Sequence, residues 1–268
     1  MAKISMPGRT NFQMVIKKIK LTLTAMTLTA IMFAGSASAF NPDDLQKLKN
    51  NNACKSCDLS GANLAGASLD SAILLEANLS GANLTGASLW LANLTDANLM
   101  DVNLAGADLV DVNLQSASLI AANLMDADLM DANLQGTILM EANLSGANLS
   151  KILSGTSLLN ANLTDANLSG ASLKEADLSA ADLVNANLTG ADLWRASLVN
   201  ANLTDANLED ADLGFAKLKG ANLRGANLKD VSLYKADLTG ADLGSAIVMD
   251  IILCNTTMPD GSINDSGC

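Results

Sequence analysis

A leucine stands at every fifth position from Leu59 to Leu149, and the same spacing resumes at Leu153 and runs to Leu253 with Val248 as one substitution. An alanine lies two residues before nearly every leucine, and Asn, Asp or Ser lies directly before it. Leucines five apart step around an α-helix by about 140°, so they never form one face. In a straight strand, an odd spacing sends successive leucines to opposite sides of the sheet.

The repeating unit, Ala-(Asn/Asp/Ser)-Leu-x-x, therefore predicts a chain that turns a corner once per unit. Each Leu and the Ala two residues before it then point into a shared interior, while the other three positions face water. A fixed period is the sequence signature of stacked architectures, in which each unit buries its apolar face only against its neighbours. About forty leucines, at about 1.5–3 kcal/mol each, supply one continuous core, so we expect one domain.

The repeat itself resembles the pentapeptide-repeat family, as the segments Ala62-Asn63-Leu64, Ala97-Asn98-Leu99 and Ala181-Asp182-Leu183 illustrate. The resemblance covers most of the chain. It implies an all-β fold, namely a right-handed quadrilateral β-helix in which four pentapeptides make one coil and tight turns form the corners. We expect this solenoid to span residues 54–253.

One residue is missing from the period between Leu149 and Leu153, which predicts a slip of register at residues 150–153. One interpretation is a bulge or bent loop that joins two stacked arrays. The other is a hinge or docking notch, by analogy with loops that interrupt other members of the family.

Residues 1–39 contain no acidic residue, carry five Lys or Arg, and end in an apolar stretch followed by Ala37-Ser38-Ala39. This pattern predicts a secretory signal peptide cleaved before Phe40, with Met1 or Met14 as the start. Cleavage would remove five positive charges and change the formal charge from −12 to −17. Such an acidic chain argues against nucleic acid or anionic lipid as a direct partner and favours either a basic protein surface or simply solubility, and we expect no membrane association after cleavage.

Residues 40–53 predict a short capping helix and a linker. Asn41 is a good N-cap, and Pro42 suits the first helical position. Leu45 and Leu48 of this helix would cover the edge of the first coil, because an uncovered coil end would expose core leucines and unpaired backbone.

The chain has four cysteines, an even number that suits an exported protein. We favour disulfides between Cys54 and Cys57 and between Cys254 and Cys268, each of which would close one end of the solenoid. Residues 254–268 would then form a disulfide-bracketed C-terminal cap. The alternative for Cys54 and Cys57 is a redox dithiol or half of a metal site, although the chain has no histidine to complete one.

The positions that follow each leucine face water, so any binding function should be found there. Residues twenty apart share a side of the predicted coil. One side combines nearly all the aromatic residues of the solenoid with basic ones, and these are residue types enriched in contact surfaces. The alternative is that they are ordinary singly exposed side chains. This candidate partner-binding face consists of Lys174, Trp194, Arg195, Phe215, Tyr234 and Lys235. Weaker candidates are two apolar stripes on opposite sides, Met100, Ile120 and Met140 with Ile138, and Trp90, Leu91, Val110 and Met130.

The sequence contains no nucleophile motif, carboxylate pair or phosphate loop beyond the polar residues that the repeat itself places at regular positions. We therefore expect no enzyme, no cofactor and no metal. The leading prediction is an exported non-catalytic scaffold or protein-binding rod. Its partner would be another protein or a second copy of the chain. The resemblance to cyanobacterial members implies the periplasm or the thylakoid lumen. The alternative is an acidic DNA mimic, which resembles the gyrase-protecting members of the family.

Overall fold

The computed structural model describes residues 40–150 and 156–268, and its compact unit is Ser38–Cys268. The predicted signal peptide at 1–39 and most of the predicted slip at 150–153 lie outside the described residues. Within them, the order of elements is helix α1 (Pro42–Asn51), the coils, and then strands β1 (Thr256–Thr257) and β2 (Ile263–Asn264).

Helix α1 begins and ends with the residues that local chemistry favours. The side chain of Asn41 accepts a hydrogen bond from the backbone N–H of Asp43 at 3.0 Å, which satisfies one orphan donor of the first turn. Asn52 ends the helix in the left-handed conformation, and its N–H donates to the carbonyl of Leu48. Leu48 is only 2% exposed and is part of the core, so the helix seals the first coil.

The rest of the chain stacks in coils of twenty residues. A parallel bridge joins Asn78 to Asn98, and the next bridge, five residues later, joins Asn83 to Asn103. A spacing of twenty with a corner every five residues gives four sides per coil. The interior is filled by the leucines and alanines of the repeat, nearly all fully buried. The predicted solenoid is therefore confirmed, while the right-handed sense of the coil stays a prediction.

Each side contributes only about three extended residues, which explains why continuous strands are absent from the coils in the described part of the chain. The N–H of Leu79 donates forward to the carbonyl of Asn98 at 2.7 Å, and the N–H of Asn98 donates back to Ala77 at 2.9 Å. At the corner, the N–H of Ala82 donates to the carbonyl of Leu79 at 3.0 Å. Gly81, between them, has a φ of 64°, the left-handed value that a type II turn requires.

A ladder of polar side chains explains the Asn that precedes so many leucines. The Oδ1 of Asn78 accepts the backbone N–H of Ser80 at 3.2 Å, which braces the corner. It also accepts the Nδ2 of Asn98, one coil later, at 3.1 Å, while the Nδ2 of Asn78 donates to Asp58 at 3.2 Å. An asparagine at this position thus joins two neighbouring coils and one turn, because its amide offers both a donor and an acceptor.

The missing residue shortens the offset between coils to nineteen at one level. Bridges join Ile138 to Ser157 and Asn148 to Asn167, and the offset returns to twenty in the next coil. Two threonines occupy inward alanine positions at this level, and both are buried. Thr137 donates its hydroxyl to the carbonyl of Leu114 at 2.8 Å, and Thr156 donates to that of Leu134 at 3.1 Å.

The C-terminal tail forms a small antiparallel hairpin from β1 and β2, with Thr257 paired to Ile263. A disulfide joins Cys254 to Cys268, and another joins Cys54 to Cys57 beneath α1. The tail covers the last coil only in part, as the half-buried Leu243 and the exposed Val248 show.

Candidate functional site

The six residues of the candidate partner-binding face lie on one side of four successive coils. Backbone hydrogen bonds fix their register: Glu175 N–H donates to Trp194 O at 2.9 Å, Arg195 N–H to Gly214 O at 2.8 Å, and Phe215 N–H to Tyr234 O at 2.7 Å. The spacing of twenty therefore brings together the residues that the sequence placed on this side. We call the surface of Lys174, Trp194, Arg195, Phe215, Tyr234 and Lys235 the aromatic face.

Three rings form the centre of the aromatic face. The Trp194 and Phe215 ring centroids are 4.7 Å apart at an interplanar angle of 63°, and those of Phe215 and Tyr234 are 5.3 Å apart at 79°. Trp194 and Tyr234 are nearly parallel, at 16°, with centroids 6.5 Å apart. Edge-to-face and offset stacked pairs are the favoured geometries of aromatic rings. The three side chains thus form a fixed cluster rather than three independent side chains.

Gly214 makes this cluster possible, and the pattern of aromatic and basic residues did not indicate it. Trp194 and Tyr234 are two coils apart, about 9.6 Å along a stack with a 4.8 Å spacing, so their rings must lean toward each other across the coil between them. A Cβ at Gly214 would lie 2.4 Å from Cε3 and Cζ3 of Trp194, so no other residue leaves room for the indole. The sequence does carry a signal for this role: Gly214 lies twenty positions after Trp194 and twenty positions before Tyr234.

Phe215 holds a strained backbone conformation. Its φ is 58°, in the left-handed region that the coil demands at this corner position and that Gly, Asp, Asn and Ser occupy in most other units. A bulky residue pays about 1–2 kcal/mol for this conformation relative to an extended one. The packing of its ring against Trp194 and Tyr234 offsets that cost.

Cations surround the rings, and most are held by acidic neighbours. Lys174 lies 2.9 Å from Asp192, whose hydrogen bond raises the pKa of the lysine above its ordinary value. Arg195 lies 3.5 Å from Glu175, with 58% of its side chain exposed. The guanidinium of Arg195 is 5.7 Å from the ring centroid of Phe215.

The ammonium of Lys235 lies over two aromatic rings, 5.0 Å from the centroid of Tyr234 and 5.3 Å from that of Phe215. Such cation–π contacts contribute about 0.5–1 kcal/mol at exposed sites. The rings themselves are half-buried, so an aromatic surface with a charged border faces solvent.

The two apolar stripes are also aligned by the stacking. The N–H of Asp101 donates to Ile120 O at 3.0 Å and that of Ala121 to Met140 O at 2.9 Å, while Leu91 N–H donates to Val110 O at 3.1 Å. Met100 and Ile138 are each 38% exposed, and Leu91 is 46% exposed. These stripes carry no ring cluster comparable to that of the aromatic face.

The cysteines offer no metal site within the described residues. A carboxylate oxygen of Asp44 lies within 4.8 Å of the sulfurs of Cys54 and Cys57. Both sulfurs belong to a disulfide, however, and a metal requires thiolates. The same part of the chain contains no helix that is long and apolar enough to span a bilayer.

The coils, the inward leucines and the water-facing polar columns define a solenoid of five-residue repeats. The family model described as "Pentapeptide repeats" matches the chain repeatedly, over residues 54–90, 77–115, 92–131, 127–151, 152–179, 181–214 and 206–244. The chain belongs to this family, as the sequence predicted.

Solved structures of pentapeptide repeat proteins resemble the chain. HetL from the cyanobacterium Nostoc sp. strain PCC 7120, a protein involved in heterocyst differentiation regulation, is 36% identical over 84% of this chain and 99% of its own, with a TM-score of 0.37. A protein of the Arabidopsis thaliana thylakoid lumen is 32% identical over 39% of this chain and 69% of its own, with a TM-score of 0.23.

QnrB1, a plasmid-mediated fluoroquinolone resistance protein, is 21% identical over 62% of this chain and 87% of its own, with a TM-score of 0.36. No curated protein sequence matches the chain.

Proposed function

We propose that the chain is a non-catalytic binding rod that holds a protein partner on its aromatic face. The observation that carries this proposal is the fixed cluster of Trp194, Phe215 and Tyr234, bordered by cations and open to solvent. Trp, Tyr and Arg are the residues that most often dominate binding energy at protein interfaces. Rings already locked by their neighbours lose little conformational entropy when a partner binds.

The chemistry of the site supports binding rather than catalysis. Lys174 and Arg195 are engaged in ion pairs at the edge of the rings, and no hydroxyl or thiol nucleophile paired with a base lies among the six residues of the face. Because each of these two cations is paired with a carboxylate, the border of the rings carries both signs of charge and favours a partner whose contact region is apolar at its centre and of mixed charge around it.

An oxidising compartment is the second part of the proposal. All four cysteines are paired, and the signal peptide pattern at 1–39 predicts export. We place the mature protein, beginning at Phe40, in the periplasm or thylakoid lumen. Sequencing its N-terminus from fractionated native cells tests this placement, and a cytoplasmic chain that retains residues 1–39 would contradict it.

The acidic DNA-mimic alternative is less well supported. A duplex mimic needs negative charge along its whole length, yet the coil from residue 217 to 236 carries cations on each of its four sides. These are Lys217, Lys219, Arg224, Lys229 and Lys235.

The proposal is tested by affinity capture from the native compartment, followed by calorimetric measurement of the affinity for each captured protein. We expect Trp194→Ala with Phe215→Ala to weaken binding at least 30-fold, because two interface anchors together are worth about 2 kcal/mol or more.

The matched control is Met125→Ala with Asp126→Ala, which removes the same two positions of the repeat unit, including one left-handed residue, from a different side. The control should bind like the unchanged protein. Equal binding by the aromatic-face variant would refute the proposed face, provided that its circular dichroism shows an intact solenoid.

A further inference from the structure

One of the two apolar stripes continues across the level at which the offset between coils is nineteen. The N–H of Glu141 donates to Leu159 O at 3.0 Å, so Leu159 follows Met140 in the same column. A spacing of twenty would place Asn160 there, and the missing residue therefore lengthens the apolar surface by one coil. We call this surface the extended stripe; it consists of Met100, Ile120, Met140 and Leu159, with Ile138 on the same side.

The extended stripe is bounded by a serine at each end. Ser80 precedes it in the column, because the N–H of Gly81 donates to Met100 O at 2.8 Å. Ser179 follows it, because the N–H of Asn160 donates to Ser179 O at 3.0 Å. At a spacing of about 4.8 Å per coil, the four apolar residues span about 14 Å along the solenoid axis. The stripe is thus a patch of defined length rather than a general property of the repeat.

Ile138 places an exposed apolar side chain where other units carry a hydrogen-bonding one. Two coils earlier, Oδ1 of Asn98 at the same position accepts the N–H of Met100 at 3.2 Å and braces the corner. Isoleucine has no acceptor, so the equivalent corner at Met140 lacks this bond. Met100 and Ile138 are each 38% exposed. The packing of the coils gives no reason for an isoleucine at this position, whereas contact with a partner does.

The half of the solenoid that carries the extended stripe has only one sign of charge. Residues 56–150 contain eleven acidic side chains and no Lys or Arg. Three of these acids occupy exposed corners at the two edges of the stripe's side, namely Asp96, Asp101 and Glu141. Two surfaces of this kind repel each other, so the charge disfavours a second copy of the stripe as the occupant and favours a basic partner.

The shape of the stripe favours an α-helix over a strand. The backbone groups of each side point along the stack and pair with the neighbouring coils, as the bond from Leu99 N–H to Ser118 O at 2.7 Å shows. A strand laid on this side would find no backbone partners, whereas a helix satisfies its own. At 1.5 Å per residue, about 14 Å corresponds to about three helical turns, whose apolar face repeats about every 5.4 Å. Methionine side chains adapt to the small difference from the 4.8 Å spacing of the coils.

We propose that the extended stripe binds a basic amphipathic helix of a protein partner. The apolar face of the helix lies along the solenoid axis on Met100, Ile120, Met140 and Leu159. Its Lys and Arg side chains reach the carboxylates of Asp96, Asp101 and Glu141 at the corners. This docking site is separate from the aromatic face and does not depend on it.

A synthetic helical peptide of about eighteen residues tests the proposal, with leucines along one face and lysines on the other. Its binding to the purified protein is measured by fluorescence anisotropy, beside a scrambled peptide of the same composition that has no apolar face. We expect the scrambled peptide to bind at least about tenfold more weakly, because it keeps the charge and loses the contact with the stripe.

The variant Ile138→Asn with Met140→Ser removes the centre of the stripe and preserves the fold, because other units carry these residues at the same two positions, as Asn98 and Ser80 do. We expect it to bind the ordered peptide at least about tenfold more weakly. The matched control is Ile73→Asn with Met125→Ser, which makes the same changes at the same positions of the unit on other sides, where the side chains are 47% and 40% exposed. The control should bind like the unchanged protein.

Three results would overturn the proposal. Equal binding of the ordered and scrambled peptides would show that charge alone attracts them. Unchanged binding by the Ile138→Asn, Met140→Ser variant would place the helix elsewhere. Self-association of the protein that this variant abolishes would assign the stripe to a second copy. Trp194→Ala with Phe215→Ala should leave peptide binding unchanged, so failure here is distinguishable from failure of the proposed function.

Discussion

The substitution Gly214→Ala tests whether the aromatic face is one packed unit. The glycine itself is not in the left-handed region, and other units carry Trp, Lys or Tyr at the same position, so the backbone accepts a Cβ there. The added methyl would nevertheless lie 2.4 Å from two ring atoms of Trp194, closer than any tolerable contact. The indole must therefore leave its place between the neighbouring rings.

The size of the effect follows from the contacts that Trp194 makes. It packs against Phe215 and Tyr234, and each aromatic pair is worth about 0.5–1.5 kcal/mol beyond area burial. Losing both costs about 1–3 kcal/mol. Alanine restricts the unfolded chain more than glycine and returns about 0.4–1 kcal/mol. Taking the middle of each range, we expect a net loss of about 1.3 kcal/mol in the free energy of unfolding.

The assay is a double-mutant cycle of Gly214→Ala and Trp194→Ala, with unfolding in urea followed by circular dichroism. Once the indole is absent, Gly214→Ala should be neutral or stabilising. Gly244→Ala is the matched control, because its new methyl would meet Nη1 of Arg224 and Oδ1 of Asp242, each at 3.0 Å, rather than a packed ring, and the methyl at Gly214 would meet the equivalent Oδ1 of Asp212 at 3.1 Å. It should change stability by less than about 0.5 kcal/mol.

Two results would refute this reasoning. If Gly214→Ala is as stable as the unchanged protein, the indole is not fixed over the glycine. If the penalty persists in the Trp194→Ala background, it arises from the backbone rather than from the ring.

Two further predictions concern the coils. Thr137→Val removes the hydrogen bond from a buried hydroxyl to Leu114 O and should lower stability by about 0.5–1.5 kcal/mol in thermal unfolding. The control Thr85→Val removes an exposed hydroxyl and should lower stability by less in the same experiment. Equal effects of the two substitutions would contradict the role of the buried bond. The hydroxyl of Thr239 lowers the pKa of Asp237, so this carboxylate stabilises the fold above its unfolded pKa of about 3.9 and loses that contribution as the pH falls through the lower folded value. Asp237→Asn should therefore unfold with a shallower acid dependence below about pH 4, and an unchanged slope would argue against the predicted linkage.

The repeat predicted the interior of the solenoid because inward positions obey a single rule. A leucine at each fifth residue and an alanine two before it must be buried if the chain turns, whatever the outward residues are. The same register predicted that Trp194 and Tyr234 share a side. On a stacked fold, the side of the coil on which a residue lies is given by its number within the twenty-residue repeat. The sequence alone could therefore predict which residues share a side.

Features that depend on atomic contacts were not accessible. The role of Gly214 lies in the space above it, which no periodicity reports. The ladder through Asn78 and Asn98 required knowing that their amides meet across coils rather than each bonding water. The tail was expected to be a disulfide-bracketed cap, but how much of the last coil it covers was not predicted: its fourteen residues after Cys254 turn back as a hairpin instead of completing another coil.

The nineteen-residue offset between Ile138 and Ser157 bears on how such a chain can grow. Beyond that level, every column of leucines, asparagines and corner residues continues in phase, although the count of residues no longer divides by five. The loss of a single residue is therefore a local event, and copying errors of irregular length need not be lethal to the architecture. Solenoids of this kind can therefore gain or lose segments that are not multiples of five residues. An alignment by residue number alone would misplace every surface position beyond the first such insertion or deletion.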